Sequence, residues 1–471
     1  MSKQIPRWQL IVYSSGSLAS AVSYQAFSTY IQFLYIDVYG LRAAWVGLTW
    51  SIYGLWNAFN DPLAGYLSDR TQTRWGRRIP WIAGSFIPLS ITFYLLFVPP
   101  AGLSAQADVS LLLYFIFFVL AFDLLWTIAV MNWTALFPEM VPDEKQRANV
   151  SAWRQIFSVI GLMVGVALPP ILAGEDWSGV RVVAGLVAVV TAVFFALSLL
   201  GSRERPEFTA DEPLPLRESL RATMTNRNFL AFLGANLMVQ FVFLALTSTT
   251  PFYTKYALRL QSDLTIGGVT LDVATQNSLF LASAFVVALL AMPVWARFTH
   301  RRGAWQALRL CCLTSAAIVL TLFLAYDFYS GLLAIMLFGA SLAGLLMLTD
   351  LLIADLVDAD ELVTGARREG LYFGMNGFVI RLAFTIQGAI TGTVLTLTRY
   401  VSPTPGVLYP EQPDTAVLGI RFMIAVIPAL ALAAAYFILG KYGLRGEELA
   451  EMRTAVAALH AHKQSQLPAD R

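Results

Sequence analysis

The residues best placed to do chemistry lie in one short stretch, Asn57-Ala-Phe-Asn60-Asp61-Pro62, inside an apolar run. In a helix Asn57 and Asp61 share a face, with Asn60 beside them. A carboxylate at mid-membrane costs about 2.5–3.5 kcal/mol on insertion scales, so it persists where it faces a cavity and binds something. Pro62 removes a helix hydrogen bond and leaves a backbone carbonyl free to act as a ligand. The run ends in Asp69-Arg70, followed by Arg74-Trp75-Gly76-Arg77-Arg78, a basic loop of cytoplasmic type. A polytopic transporter is the expectation from this stretch alone.

The elements that must position these groups are long and apolar. The chain has 471 residues, 57% of them hydrophobic and only 13% charged, with mean hydropathy +0.63. Soluble domains carry about 25% charged residues, so the composition implies an integral membrane protein whose surroundings are a lipid bilayer. The net charge of +2 conceals strong segregation along the chain and gives no sign of a nucleic-acid partner. Cys311 and Cys312 are adjacent within an apolar span, too close for a long-range staple, and read as packing residues. Residues 1–8 lead into a span too long and polar for a cleaved signal, so a retained first helix is expected.

With about 20 apolar residues per crossing, spans fall at 10–37, 43–69, 80–99, 110–138, 149–173 and 179–201. A second set covers 228–258, 276–298, 305–325, 331–357, 371–396 and 416–440. The expected fold is all-α and polytopic, with twelve transmembrane helices in two six-helix halves. Residues 1–201 form the first half and 202–227 a charged, proline-containing cytoplasmic linker. Residues 228–440 form the second half and 441–471 a polar cytoplasmic tail, helical near 447–458. Placing both termini in the cytoplasm gathers Arg70, Arg74, Arg77, Arg78, the linker arginines, Arg301, Arg302, Arg367 and Arg368 on the inner side. Only Arg42, Arg181, Lys255, Arg259, Arg399 and Arg421 remain outside, as the positive-inside rule prefers. Each half also carries one mid-span arginine at an equivalent place, Arg154 and Arg381. A site at the interface of two repeated halves is the logic of secondary transporters.

Four stretches carry a family resemblance: NAFNDPLAGYLSDRTQTRWGRR (57–78), MNWTALFPEMVPDEKQR (131–147), ADLVDADE (354–361) and RREGLYFGMNGFVIR (367–381). In them the chain resembles the glycoside–pentoside–hexuronide:cation symporters of the major facilitator superfamily. The resemblance extends to the sodium-dependent lysophosphatidylcholine transporters and by itself selects no substrate. It implies a cation site built from two acids four apart on the second helix and a threonine on the fourth. Here these positions match Asn57, Asp61 and Thr127. Asparagine still offers a neutral oxygen to Na+ but no charge, and Asp123, one turn before Thr127, is placed to supply the missing carboxylate. With Asn60 these five make the expected cation-binding set, Na+ being a candidate ion at Asp61. The family's sugar-side arginine matches Arg154, and its eleventh-helix lysine is replaced by Arg381. The acids that hold sugar hydroxyls in melibiose permease align with Ala21 and Val130.

The expected substrate set is therefore Arg154, Arg381, Tyr24, Gln25, Trp126, Trp153, Tyr372 and Gln240, with Asn236 beside Gln240. Two arginines without the hydroxyl-binding acids suit an anionic solute, a hexuronide or a phosphate headgroup. Asp350, within the tenth span, reads equally as a site residue or an arginine partner. Asp69, Arg70, Arg77, Arg78, Asp358 and Glu361 are expected to form charge pairs that gate the cytoplasmic side. No HExxH, GxSxG or acid–histidine cluster points to an enzyme. The expectation is symport of a sugar-like solute with Na+ or H+, without another cofactor, by a monomer in the cell (inner) membrane. Transport of a lysolipid or other amphiphile, or uncoupled facilitation, is the alternative.

Overall fold

The computed structural model of the chain describes residues 6–69, 71, 73–103, 109–140, 144–204, 226–266, 268–364, 369–403 and 407–465. Runs long enough to cross lipid must close their own backbone hydrogen bonds, and helices do so. The first half contains α1 (Arg7–Ser14), α2 (Gly16–Phe33), α3 (Ala43–Asp69), α4 (Ile79–Phe97), α5 (Val109–Met140), α6 (Glu144–Ala173) and α7 (Val180–Gly201). The second contains α8 (Arg227–Phe252), α9 (Val273–Arg302), α10 (Ala304–Leu324), α11 (Phe328–Thr364), α12 (Glu369–Leu397), α13 (Asp414–Arg421) and α14 (Ile427–Leu439). A tail helix, α15 (Glu447–Ser465), follows.

Taking α1–α2 and α13–α14 as single bent crossings, the described residues make twelve; most limits fall within a few positions of those expected, but α6 starts five residues before 149 and α11 runs seven past 357. Ten are long and apolar enough to span a membrane by composition alone. The other two, α1–α2 and α3, hold the serine-rich stretch and the Asn57–Asp61 stretch. The first crossing of each half ends alike, in a wide π turn, Leu34–Val38 after α2 and Tyr253–Ala257 after α8. Such turns often mark functional positions. A hairpin of β1 (Leu264–Ile266) and β2 (Val269–Leu271) follows α8, pairing Leu264 with Leu271.

In lipid, helices associate through close packing and hydrogen bonds because both environments are equally apolar. Small residues therefore mark the contacts between halves. A Cβ on Gly388 of α12 would collide with the Trp50 ring of α3, and one on Gly392 would come within 2.6 Å of the Gly47 Cα. The α3–α12 seam is thus closed backbone to backbone. It places Asn57 and Asn60 of α3 opposite Arg381 of α12.

At the end of the bundle that bears both termini, Glu204 caps the start of α4. Its carboxylate accepts the backbone N–H groups of Arg77, Arg78 and Ile79 at 2.7, 2.6 and 2.7 Å. A negative group at a helix N-terminus satisfies orphan donors and the helix dipole together. Gly76 turns into this cap at φ 104°, where a Cβ would run into the Glu204 carboxylate. Gly76→Ala should destabilise the loop by about 1–3 kcal/mol through backbone strain alone. The drop in thermal midpoint of the purified protein reads this out. Adding Glu204→Ala should cost less than the sum of the two single changes, because the collision disappears. At the same end α15 docks on α11, where Arg453 Nη2 lies 2.9 and 3.2 Å from the two Asp355 oxygens.

Candidate functional site

Where α3, α5 and α12 meet, six side chains bond one another in the membrane interior. Asp123 and Thr127 lie one turn apart on α5, and Asn57 and Asn60 on the facing side of α3; all four are no more than 3% exposed. Asp123 accepts the Tyr53 hydroxyl at 2.9 Å on Oδ1 and the Asn60 amide at 2.8 Å on Oδ2. The same Asn60 amide reaches Thr127 Oγ1 at 3.3 Å. Arg381 enters from α12. Its Nη1 donates to Asn57 Oδ1 and lies 3.3 Å from Asp123 Oδ1, while Nη2 donates to Thr127 Oγ1 at 2.9 Å. The Asn57 amide is turned back to its own helix, donating to the Tyr53 carbonyl at 2.9 Å.

One polar atom in this cluster is left over. Asn60 Oδ1 is buried and has no hydrogen-bond partner among the described residues. A carbonyl oxygen accepts only, so this atom can take a donor or a cation. The expected cation set is thus brought together at Asn57, Asn60, Asp123 and Thr127. The Asp61 side chain lies outside the described residues. Among the described residues no group of three or more His, Cys, Asp or Glu side chains could hold a metal ion. The oxygens present are mostly neutral, which suits a monovalent ion better than a divalent one.

A second face of α5 carries aromatics. Trp126 stacks on Tyr24 of α2 at 4.5 Å, and Tyr24 meets the edge of Phe384, three residues beyond Arg381, at 5.1 Å. Two turns further on, Trp133 stacks with Tyr13 at 5.2 Å. The Arg154 guanidinium of α6 lies over the Trp133 and Phe137 rings at 4.5 and 4.8 Å. Arg154 is half-buried and makes no hydrogen bond or ion pair among the described residues. Its planar fork is held flat by cation–π contact with its donors uncommitted. Tyr24 and Trp126 thus form one aromatic contact between α2 and α5, and Arg154 of α6 joins a second, with Trp133 and Phe137, two turns further along α5.

Other expected site residues are placed elsewhere. Arg381 does not sit with Arg154; it is bonded into the cation cluster. Gln25 is buried and donates to Thr29 within α2 at 2.9 Å. Trp153 is 39% exposed on the outside of α6. Tyr372 is fully buried at the start of α12, 4.5 Å from the Phe229 ring and about 13 Å along the helix from Arg381. Asn236 donates to Asn376 at 2.5 Å within its own half, and Gln240, one turn on, is half-buried. Asp350 is exposed on α11 and makes no ion pair among the described residues, so it is no arginine's partner there. Of the expected gate, the Asp69 side chain and Arg70, with Arg367 and Arg368, lie outside the described residues. Arg77, Arg78, Asp358 and Glu361 all have interaction partners.

A buried charged contact between the halves was not anticipated from sequence. At the end of the bundle away from the termini, Asp37 in the α2 π turn receives Lys255 Nζ at 2.5 Å and the hydroxyls of Tyr256 and Tyr400. The Asp37 side chain is 0% and that of Lys255 9% exposed. Phe33 meets Phe252 edge-on at 5.1 Å just beneath. One level deeper, Gln32 donates to Gln387 at 2.7 Å, and Gln387 donates to Ser248. These bonds join α2 to the second half and close the far end. The available signal was the aspartate two residues before Tyr39-Gly40 and the lysine at the matching end of the second half.

Two six-helix halves closing on a buried charge cluster define a major facilitator transporter. The sequence matches the family described as MFS/sugar transport protein over residues 12–445, and the chain belongs to that family. The resemblance to glycoside–pentoside–hexuronide:cation symporters is supported by named relatives. The isoprimeverose transporter of Lactiplantibacillus pentosus is 25% identical, covering 84% of this chain and 82% of that protein. The glucuronide carrier protein homolog of Escherichia coli is 24% identical over 96% of each. The sodium-dependent lysophosphatidylcholine symporter 1-A of Danio rerio is 20% identical, covering 93% and 86%. In fold the chain is similar to an inward-facing, unoccupied bacterial homolog of the human lysosomal transporter Spinster. The TM-score is 0.67 at 14% identity, with 94% of this chain and 98% of that one covered. A nucleoside transporter is similar at TM-score 0.66 and 12% identity, covering 92% and 100%. At these identities the likeness is one of fold alone.

Proposed function

We propose that this multi-pass membrane protein is a secondary active transporter that couples Na+ or H+ to uptake of a sugar-like solute, a glycoside, pentose or hexuronide. The observation that carries the reading is the buried cluster of Asn57, Asn60, Asp123 and Thr127. It is a buried, oxygen-rich cluster of the first half that faces Arg381 of the second, with one acceptor that has no partner among the described residues. Asp61 is placed in the same set from its spacing on α3. Arg154 and the Tyr24–Trp126 shelf form the solute side, with an aromatic face for a ring and an uncommitted fork for hydroxyls or a carboxylate. Relatives named for isoprimeverose and glucuronide transport support a sugar-like solute.

In this scheme residues 1–201 and 228–440 rock as two bodies, with residues 202–227 between them and the termini in the cytoplasm. The protein acts as a monomer in the cell (inner) membrane, as a carrier and not as an enzyme. The far-end contacts hold one side shut while Arg77, Arg78, Asp358 and Glu361 act at the other.

The test is uptake into proteoliposomes of labelled glycosides, pentoses, hexuronides and lysolipids under a sodium gradient, a proton gradient or neither. Accumulation of one sugar-like solute under one gradient, and only equilibration without it, is the expected result. Accumulation of lysolipid alone would replace the substrate, and equilibration under every condition would make the protein an uncoupled facilitator.

A further inference from the structure

Arg381 holds the oxygens that a coupling ion would need. Its guanidinium bonds Asn57 Oδ1 and Thr127 Oγ1 and lies 3.3 Å from Asp123 Oδ1. We propose that Arg381 is a resident occupant of the ion site, and that a monovalent metal cation binds only when the guanidinium withdraws. The proposal rests on the reading of this cluster as the coupling-ion site and adds what limits access to it.

Three features favour displacement over simultaneous occupancy. An arginine keeps its charge at any ordinary pH, so it cannot leave the site by losing a proton as a lysine can. A metal cation among the same oxygens would face a second full positive charge inside a poorly screened interior. The remaining open ligand, Asn60 Oδ1, belongs to the side chain whose Nδ2 reaches Asp123 and Thr127, and it has no partner among the described residues. An incoming ion can bind there first and then take Thr127 and Asp123 as Arg381 retreats. The Asp61 side chain plays no part in this reasoning.

The consequence is mechanical. Asn57, Asp123 and Thr127 belong to the first half and Arg381 to the second, so the guanidinium ties the halves together at mid-membrane. Displacing it converts ion binding into release of that tie. It also frees a cation on the same helix as Phe384, whose ring meets Tyr24 of the aromatic shelf. Ion occupancy and solute binding are thereby linked through one side chain.

Sodium binding to the purified full-length protein tests this without knowledge of the solute. Thermal midpoints are titrated with NaCl against choline chloride at constant ionic strength, for the wild type, Arg381→Gln, Arg381→Lys and the double variant Arg381→Gln/Asp123→Asn. The apparent sodium Kd of Arg381→Gln should be at least tenfold lower than that of the wild type, about 1.4 kcal/mol. Arg381→Lys, a point charge that cannot bridge three oxygens, should fall between them, and it carries the test if the glutamine variant does not fold. The double variant should lose the response. A sodium Kd unchanged or raised in both Arg381 variants overturns resident occupancy while leaving the ion site standing. No sodium response in any of the four proteins overturns the cluster as a sodium site, and this proposal with it.

Discussion

Asp123→Asn is expected to abolish concentrative uptake while the protein still reaches the membrane. Asparagine keeps the shape and one acceptor, for the Tyr53 hydroxyl or the Asn60 amide but not both, and it withdraws the only described carboxylate touching Arg381. Breaking a buried pair by removing one partner costs about 3–5 kcal/mol, and each 1.4 kcal/mol is tenfold. Accumulation under the driving gradient should fall by about 100-fold or more on this scale. Solute exchange at zero gradient should suffer much less, because Arg154 and the Tyr24–Trp126 shelf are untouched. The ratio of accumulation to exchange, per amount of protein in the membrane, checks it. Equal losses in both would mean that Asp123 serves folding or solute binding and not coupling.

The second large effect is expected at the far end. In Asp37→Asn the Lys255 ammonium, 9% exposed, loses the carboxylate it is paired with among the described residues, and the Tyr256 and Tyr400 hydroxyls lose their charged acceptor. Leaving a buried charge unpaired carries the same penalty of about 3–5 kcal/mol, enough to favour a conformation in which water reaches Lys255. A cysteine at Thr254, 1% exposed beside this contact, reports the opening. Its modification by a membrane-impermeant maleimide should be at least about tenfold faster in Asp37→Asn than with Asp37 intact. The native Cys311 and Cys312 are fully buried and give little background. Adding Lys255→Met to Asp37→Asn removes both charges and should slow the reaction again, since an apolar replacement of a buried pair is often neutral. Unchanged labelling in Asp37→Asn would show that the far end is held by the aromatic and glutamine contacts beneath it.

What the sequence made legible follows from range. Helix limits came from the lengths of apolar runs, a local property that lipid enforces strictly, and most hold within a few residues; α6 and α11 run on past their apolar stretches into polar residues. The pairing of α3 with α5 at Asn57, Asn60, Asp123 and Thr127 came from spacing on two helix faces together with the family motif. The Asp37–Lys255 contact joins residues 218 apart, and no spacing rule connects the ends of two different crossings; Lys255 read only as an outer-side cation. Arg381 was expected beside Arg154 because the two hold matching places in the halves. The rotation of α12 about its axis, which turns Arg381 toward Asp123, depends on the Gly388 and Gly392 contacts with α3. Tyr372 and Trp153 were misplaced for the same reason: an aromatic on a site helix faces the pathway, the core or lipid according to that rotation. The β1–β2 hairpin did have a local signal, Gly267-Gly268 between the triplets Leu-Thr-Ile and Val-Thr-Leu.

The most direct test of coupling through the α3–α5–α12 cluster is solute-driven cation movement. Proteoliposomes are loaded with equal sodium and equal pH on both sides, a gradient of the transported solute alone is imposed, and isotopic sodium and internal pH are followed. Inward solute flow should carry one of the two cations uphill with it, and Asp123→Asn should abolish that movement. Solute flow with neither cation following in the wild type would contradict the coupling mechanism and leave a facilitator.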